Sequence, residues 1–376
     1  MKRNLTPKQK RIRLVAAIVI AVVLIVVMGV VSVMRCLEFD ENGAHVIDRY
    51  GVLAMESGSG APAEQQQAAA AQGSGDTGSA GQAEEPKKQA ELRAVMLSAS
   101  VLEDSDAVER IQTLAQDGVL DTIIVNIKDS DGVLNVAVET DELEDSQYIT
   151  NDNADSIEES IAALSEAGIT VIGRICSFHD QYATARNSDL AMQFENGGTW
   201  LDYDQTRWLD PTNYDAVRYL CDVAAAAKDA GCSELLLADF NFPPRGHLDR
   251  VEFDSYPDDQ ASVLLEVLQE IQDEVGSDVP VSLEGSADEL TQLSENGTED
   301  GIELGDVSAL LNAAHRLYVI TEDAESLPDE WKNVSDVKTD NIIPVLDSHS
   351  DWTDYSGTAA WNARSDEKDA LDMLEE

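Results

Sequence analysis

One pattern repeats from residue 93 onward: a short apolar run, a polar turn, an amphipathic stretch, a glycine, and another apolar run. "RAVMLSAS" (93–100) reads as a strand, and "DAVERIQTLAQDG" as an amphipathic helix that stops on Gly118. "LDTIIVNIKDSDG" is a second strand with an acidic turn. "ADSIEESIAALSEAG" is a helix with Asp155 or Ser156 as the expected cap and Gly168 as its stop. "ITVIGRICSFHD", "SELLLADFNFPP" and "DVPVSLEG" continue the strands. "YDAVRYLCDVAAAAKDAG", which ends on Gly231, and "QASVLLEVLQEIQDEVG" continue the helices. "DVSALLNAA", "RLYVIT" and "NIIPVL" follow more weakly.

Alternation of this kind specifies βα units around a parallel sheet. The short β-branched runs fit strands covered on both faces. Seven strand segments favour a (β/α)8 TIM-like barrel over an open doubly wound sheet. An open sheet would carry a glycine-rich phosphate loop after its first strand, and "SASVLED" has none, which also argues against a nucleotide-dependent enzyme. No eighth strand is visible. The expectation is therefore a barrel that is either incomplete or completed by residues 37–55.

The segments before the barrel read differently. Residues 14–34, "LVAAIVIAVVLIVVMGVVSVM", carry no charge and are long enough to span a bilayer as a helix. Residues 1–13 hold Lys2, Arg3, Lys8, Lys10, Arg11 and Arg13, which places that end in the cytoplasm and the C-terminal domain outside the cell. A cleaved signal sequence is the alternative; against it, the run is long and no clear cleavage site follows. The expectation is a single-pass cell-membrane protein whose bilayer contact is 14–34. Residues 35–55 form a membrane-proximal segment, with a short hairpin or strand at 37–55. Residues 56–91, rich in Gly, Ser, Ala, Gln and Glu, cannot bury enough apolar surface to fold and read as a flexible linker. The working domain is 92–376.

Charge removes one class of partner. The chain has 25 Lys plus Arg against 73 Asp plus Glu, a formal charge of −48. A nucleic acid would be repelled. A solvating surface and recognition of a cationic partner both remain open. Of the cysteines, Cys36, Cys176, Cys221 and Cys232, none forms a CxxC, and no histidine lies at zinc-finger spacing. Neither a metal nor a cofactor is expected. A Cys221–Cys232 bridge is disfavoured, because the two flank three helical turns.

In parallel α/β architectures chemistry gathers at the carboxyl ends of the strands. Here those ends bring together Lys128, Asp129 and Asp131; Arg174, Phe178, His179 and Asp180; Asp239, Phe240, Asn241 and Phe242; Glu284; and Asp347 with His349. The connection 181–212 is unusually long and holds Trp200, Tyr203, Trp208 and Asp210, as a functional loop or lid would. Carboxylates beside aromatic rings suit carbohydrate, because paired acids perform glycoside hydrolysis and rings stack on sugars. The ordinary reading stands beside this one. With 73 acids any rim collects some, an aspartate at a strand end commonly caps a turn, and Trp208 and Phe242 can equally be packing residues. "KDSDG" lacks the rest of a calcium loop. His179 and His349 read as polar rim residues.

Four segments, "IIVNIKDSDGVLNV", "GITVIGRICSFHD", "TRWLDPTN" and "LLLADFNFPPRG", resemble in order and spacing the bacterial putative glycoside hydrolase domain family, over about 93–350. The resemblance implies a TIM barrel related in pattern to the α-amylase superfamily and a polysaccharide or glycan as substrate. Lys128, Asp129 and Gly132 match its first motif; Arg174, Phe178 and Asp180 its second; Trp208, Asp210 and Pro211 its third; Asp239, Phe242 and Pro243 its fourth. Two positions depart. Asn126 stands where the family has an Asp, and the fourth motif is one residue shorter and lacks its Arg, with Asn241 near that place. The catalytic candidates are Asp239, then Glu284, then Asp180. The substrate-binding candidates are Lys128, Asp129, Arg174, Phe178, Trp200, Trp208, Asp210, Asn241 and Phe242. The two departures leave a second outcome open: a glycan-binding or scaffold module of the same fold without catalysis.

Overall fold

The computed structural model describes residues 37–40, 43–46, 92–143, 149–253, 259–286, 305, 307–321, 341–363 and 370–375. The chain divides into two units, Met1–Glu84 and Glu85–Glu376. In the first, strands Leu37–Asp40 and Gly43–Val46 pair antiparallel, with Leu37 opposite Val46. The apolar run 14–34 and the linker 56–91 lie outside the described residues. Among the described residues no helix is long and apolar enough to cross a membrane.

The second unit is a closed parallel barrel of eight strands: β1 Arg93–Leu97, β2 Thr122–Lys128, β3 Thr170–Cys176, β4 Glu234–Ala238, β5 Val281–Ser286, β6 Leu317–Ile320, β7 Ile342–Leu346 and β8 Ala359–Asn362. Helices α1 Ser105–Gln116, α2 Ala154–Glu166, α3 Tyr214–Asp229, α4 Gln260–Val275, α5 Val307–Ala313, α6 His349–Asp354 and α7 Ala370–Glu375 accompany them. Each strand pairs with the next in sequence, and β8 returns to β1.

Closure corrects the expectation of an incomplete barrel or one completed by residues 37–55. Strand β8, "AAWN", sits between β7 and β1, with Val345 opposite Ala360 and Ala359 opposite Arg93. It holds no β-branched residue and is only four residues long. Its strand character comes from neighbours on both edges rather than from its own propensity.

Strand alternation builds two cores. Ala94, Met96, Ile124, Ile172, Leu236, Tyr318, Ile343, Val345 and Ala360 fill the barrel interior. The intervening residues, such as Val95, Ile123, Val171, Leu235 and Trp361, pack outward in the layer shared with the helices. Asp104 caps α1, accepting from the Asp106 amide, and Asn213 caps α3, accepting from the Ala216 amide. The α2 cap is Asn153, not Asp155 or Ser156, which lie inside the first turn.

The amino end of the barrel carries an ionic plug. Glu234, at the start of β4, accepts from Ser282 Oγ at 2.6 Å, Arg316 Nη1 at 2.6 Å and Tyr318 Oη at 3.3 Å. Burial, with Glu234 close by, pushes the Tyr318 phenol well up. A buried acid with three donors satisfies itself and closes the end opposite the functional face.

Candidate active site at the barrel mouth

Strands β3 and β5 are not neighbours; β4 lies between them. A contact between their inward side chains must therefore run through the barrel interior. Arg174 and Glu284 make that contact: Nε donates to Oε2 at 2.8 Å and Nη2 to Oε1 at 2.5 Å, a two-pronged pair. Both side chains are nearly buried, 8% and 5% exposed, so water screens the pair little. Burial opposes charge on the guanidinium, but the Glu284 carboxylate beside it holds the Arg174 pKa well above the ordinary range. Nη1 of Arg174 also donates to Asn126 Oδ1 at 3.1 Å and to Cys176 Sγ at 3.3 Å.

Asp239 follows β4 directly and joins this group. Its φ of 47° lies in the left-handed region, which aspartate tolerates better than most residues. The turn makes the chain leave the barrel as soon as β4 ends. It also leaves the Asp239 carbonyl to accept from the Phe178 amide at 3.3 Å, so β4 and the segment after β3 stay joined at the rim. The half-buried Asp239 side chain interacts with the Cys176 thiol and with Arg174. Burial pushes that thiol up to about 12, and Asp239 adds to the effect while Arg174 and Lys128 oppose it. One arginine and two carboxylates thus share the mouth, with an amide and a thiol around the arginine.

Lys128 and Asp180 belong elsewhere. The β2–β3 register runs Asn126 opposite Arg174 and then Lys128 opposite Ile175, a one-residue bulge. An inserted residue turns the following side chain to the other face. Lys128 accordingly leaves the mouth for the outer layer, fully buried, with Nζ 2.9 Å from Asp180 Oδ2. Nζ also donates to the carbonyls of Cys176 at 2.5 Å and Ser177 at 3.2 Å. The other Asp180 oxygen accepts from the Ala183 amide at 2.7 Å and caps the short helix Gln181–Arg186. Gly132 presses on this carboxylate: a Cβ there would lie 2.1 Å from Asp180 Oδ1. Asp129 fastens the same turn, with Oδ1 accepting the amides of Asp131, Gly132 and Val133 at 3.0, 3.0 and 2.8 Å. Burial raises its pKa, partly offset by those amides. Lys128, Asp129, Gly132 and Asp180 therefore form one ionic fastening behind the rim.

The long connection 181–212 is fastened rather than loose. Trp200 and Trp208 are 1% and 6% exposed. Trp200 donates to the His247 carbonyl at 3.1 Å, and Gly246 lies so near its ring that a Cβ would be 2.3 Å from Cζ2. Trp208 donates to Asp202 Oδ2 at 3.0 Å, and Asp202 also accepts from the amides of Asp204 and Thr206. Gln193–Phe194 pairs antiparallel with Val251–Glu252 and ties the loop to the segment after β4. Asp210 is buried and accepts from the Thr212 amide and hydroxyl at 2.8 and 2.7 Å. Phe178 and Phe242 are buried too, Phe178 against Phe240 at 5.3 Å and Phe242 against Phe253 at 6.0 Å. Asn241 bonds through Nδ2 to the Phe242 carbonyl at 2.7 Å. Among the described residues the large rings that face water are Tyr203, edge-on to His247, Tyr182, and Tyr214 at the start of α3.

Of the residues singled out from sequence, the mouth unites Asp239, Glu284 and Arg174. It leaves Asp180, Lys128, Asp129, Trp200, Trp208, Asp210, Phe178 and Phe242 in supporting packing. Asn126 and Cys176 join the mouth although neither was a candidate; inward alternation with Arg174 was the signal for both. Among the described residues no three His, Cys, Asp or Glu side chains converge as a metal site would require.

Comparison with known proteins follows this geometry. A family model described as "Putative glycosyl hydrolase domain" matches residues 94–294. A comparison with curated proteins finds no match. Among solved structures, a hypothetical protein from Ruminiclostridium thermocellum ATCC 27405 shares 22% identity over 50% of this chain and 96% of its own, with a TM-score of 0.44. The PgaB (BpsB) glycoside hydrolase domain from Bordetella bronchiseptica shares 13% identity over 75% of this chain and 98% of its own, with a TM-score of 0.49. Alpha-L-fucosidase isoenzyme 2 from Paenibacillus thiaminolyticus shares 10% over 76% and 48%, with a TM-score of 0.49.

Proposed function

The chain belongs to the "Putative glycosyl hydrolase domain" family, and from that membership and the barrel mouth we propose a membrane-anchored, extracellular hydrolase of cell-surface or environmental polysaccharide. The observation that carries the reading is the pairing of Glu284 with Arg174 across the mouth, with Asp239 beside them. Glycoside hydrolysis needs one carboxyl that gives a proton and one carboxylate that accepts or attacks. Both Glu284 oxygens accept guanidinium protons, which suits the charged partner; each oxygen keeps a further lone pair for a sugar carbon or a water. Asp239 takes the proton-donating role.

In the step proposed, the C1–O bond of the glycan breaks and its electron pair stays on the leaving oxygen, which takes the Asp239 proton. Glu284 either bonds to C1, and water later replaces it, or removes a proton from a water that bonds to C1. A carboxyl separation of about 5–5.5 Å goes with the first course and roughly 6.5–9.5 Å with the second. Arg174 fixes Glu284. Asp180 and Lys128 hold the rim from behind. The basic residues ahead of the apolar run 14–34 support the anchored, outward-facing topology.

A second reading has its own observation: both Glu284 oxygens are already bonded to Arg174, and position 126 is an amide. In it the mouth binds a glycan without cutting it. Release of reducing ends from a panel of wall and capsule glycans separates the two, with the full chain compared against Asp239→Asn and Glu284→Gln. Product that either substitution removes supports the hydrolase. Binding without product from any form supports the second reading.

A further inference from the structure

Asn126 is half-buried on an inward position of a closed barrel, so its exposure comes through the mouth. Its Oδ1 accepts from Arg174 Nη1 at 3.1 Å, and its carbonyl accepts from Asn135 Nδ2 at 3.0 Å. The Oδ1 contact orients the amide with its oxygen toward the guanidinium. Arg174 thus has one carboxylate partner with two prongs, Glu284, and neutral partners, Asn126 and Cys176, on its remaining nitrogen. Were position 126 a carboxylate, a third acid would draw on Arg174 beside Glu284 and Asp239.

We propose that Asn126 is a positioning residue for Arg174: its amide oxygen holds Nη1 and so aims the other two guanidinium nitrogens at Glu284. This inference rests on the hydrolase reading for its kinetic consequence, but its structural core does not. Among the described residues, Glu284 from β5, Cys176 from β3 and Asp239 after β4 act on Arg174, and Lys128 from β2 acts on Cys176. Adding a carboxylate at 126 puts another negative charge on the group around Arg174 and disfavours ionisation of the carboxyl that gives the proton in the hydrolase reading.

The test uses the full chain with two substitutions, Asn126→Asp and Asn126→Ala, and two readouts. The first is the pH profile of kcat/KM on whichever glycan the wild type cleaves. Asn126→Asp is expected to move the alkaline limb upward by about one pH unit, a shift that a merely structural role for Asn126 would not produce. The second is independent of turnover. In arginine-selective 15N-labelled chain, the Arg174 Nε–H signal, identified by its loss in Arg174→Lys, is expected to exchange with solvent about tenfold faster in Asn126→Ala. An unmoved limb overturns the proposal where the wild type is active. Where the wild type cleaves nothing on the panel, the hydrolase reading fails, and the exchange rate alone decides: acceleration upholds the positioning role, and an unchanged rate overturns it.

Discussion

Gly132→Ala is the sharpest probe of the fastening behind the rim. Gly132 has φ +96°, and an added Cβ would lie 2.1 Å from Asp180 Oδ1 and 2.7 Å from Cγ. The backbone term is about 1–2 kcal/mol for a non-glycine residue in a left-handed conformation. The carboxylate cannot swing aside cheaply, because one oxygen caps a helix through Ala183 and the other faces Lys128 at 2.9 Å. Displacing it breaks a fully buried ion pair, which costs about 3–5 kcal/mol when one charge is left uncompensated. The single substitution should therefore lose about 4–7 kcal/mol, a large part of the roughly 5–15 kcal/mol that holds a domain folded. Asp180→Ala should lose a similar amount, since it strands Lys128. In the double variant the clash is gone, and Gly132→Ala should add only its backbone strain of about 1–2 kcal/mol. Equilibrium urea unfolding followed by tryptophan fluorescence measures all three. The expected coupling is about 3 kcal/mol or more; additivity to within about 0.5 kcal/mol would refute the contact.

Three further outcomes are expected. Burial opposes charge on Asp202, yet bonds from Thr206, Trp208 and Asp204 hold its carboxyl below the ordinary value of 3.8; a depressed folded pKa gives stability that is present above the ordinary value and lost as pH falls through the folded one. The Tm difference between wild type and Asp202→Asn should thus be largest near neutrality and vanish in strong acid, and a difference independent of pH would contradict it. Asp129, raised by burial, has the opposite sign: its contribution is present below the ordinary value and lost as pH rises through the folded pKa, so Asp129→Asn, which keeps the turn acceptor, should match or exceed wild-type stability at pH 7 in thermal melts. Burial pushes the thiols of Cys176, Cys221 and Cys232 up to about 12, so a thiol reagent at pH 8 should leave these three unlabelled in folded protein and label them in urea; rapid native labelling of Cys176, located by peptide mass, would argue against its buried place at the mouth.

The strand–helix alternation carried the barrel, because apolar periodicity is a local property and β1 to β7 each show it in their own residues. β8 escaped because "AAWN" is a strand only through its partners. At the site, Arg174, Asp239 and Glu284 were legible as strand ends. Lys128 was not, because the bulge after Asn126 reverses the face it occupies, and no spacing rule shows a bulge. The aromatic residues misled for a related reason. Trp200, Trp208 and Phe242 look like sugar platforms in a one-dimensional list, but antiparallel pairing of Gln193–Phe194 with Val251–Glu252 folds the long loop onto its neighbour and buries them. Tyr203 stays exposed. Asn126 was noticed only as a departure from the family motif and Cys176 only as a thiol, because an amide and a thiol within a strand look inert until the barrel closes around Arg174.

The most direct measurement is glycan cleavage by the full chain and by Asp239→Asn, read as reducing ends released at matched protein concentration, with the urea midpoint of both forms as the control for folding. Positioned proton transfer contributes roughly 10²–10⁴-fold to a reaction of this kind. The account expects cleavage by the wild type, a loss of that order in Asp239→Asn, and an unchanged urea midpoint. Equal cleavage by both forms would contradict it.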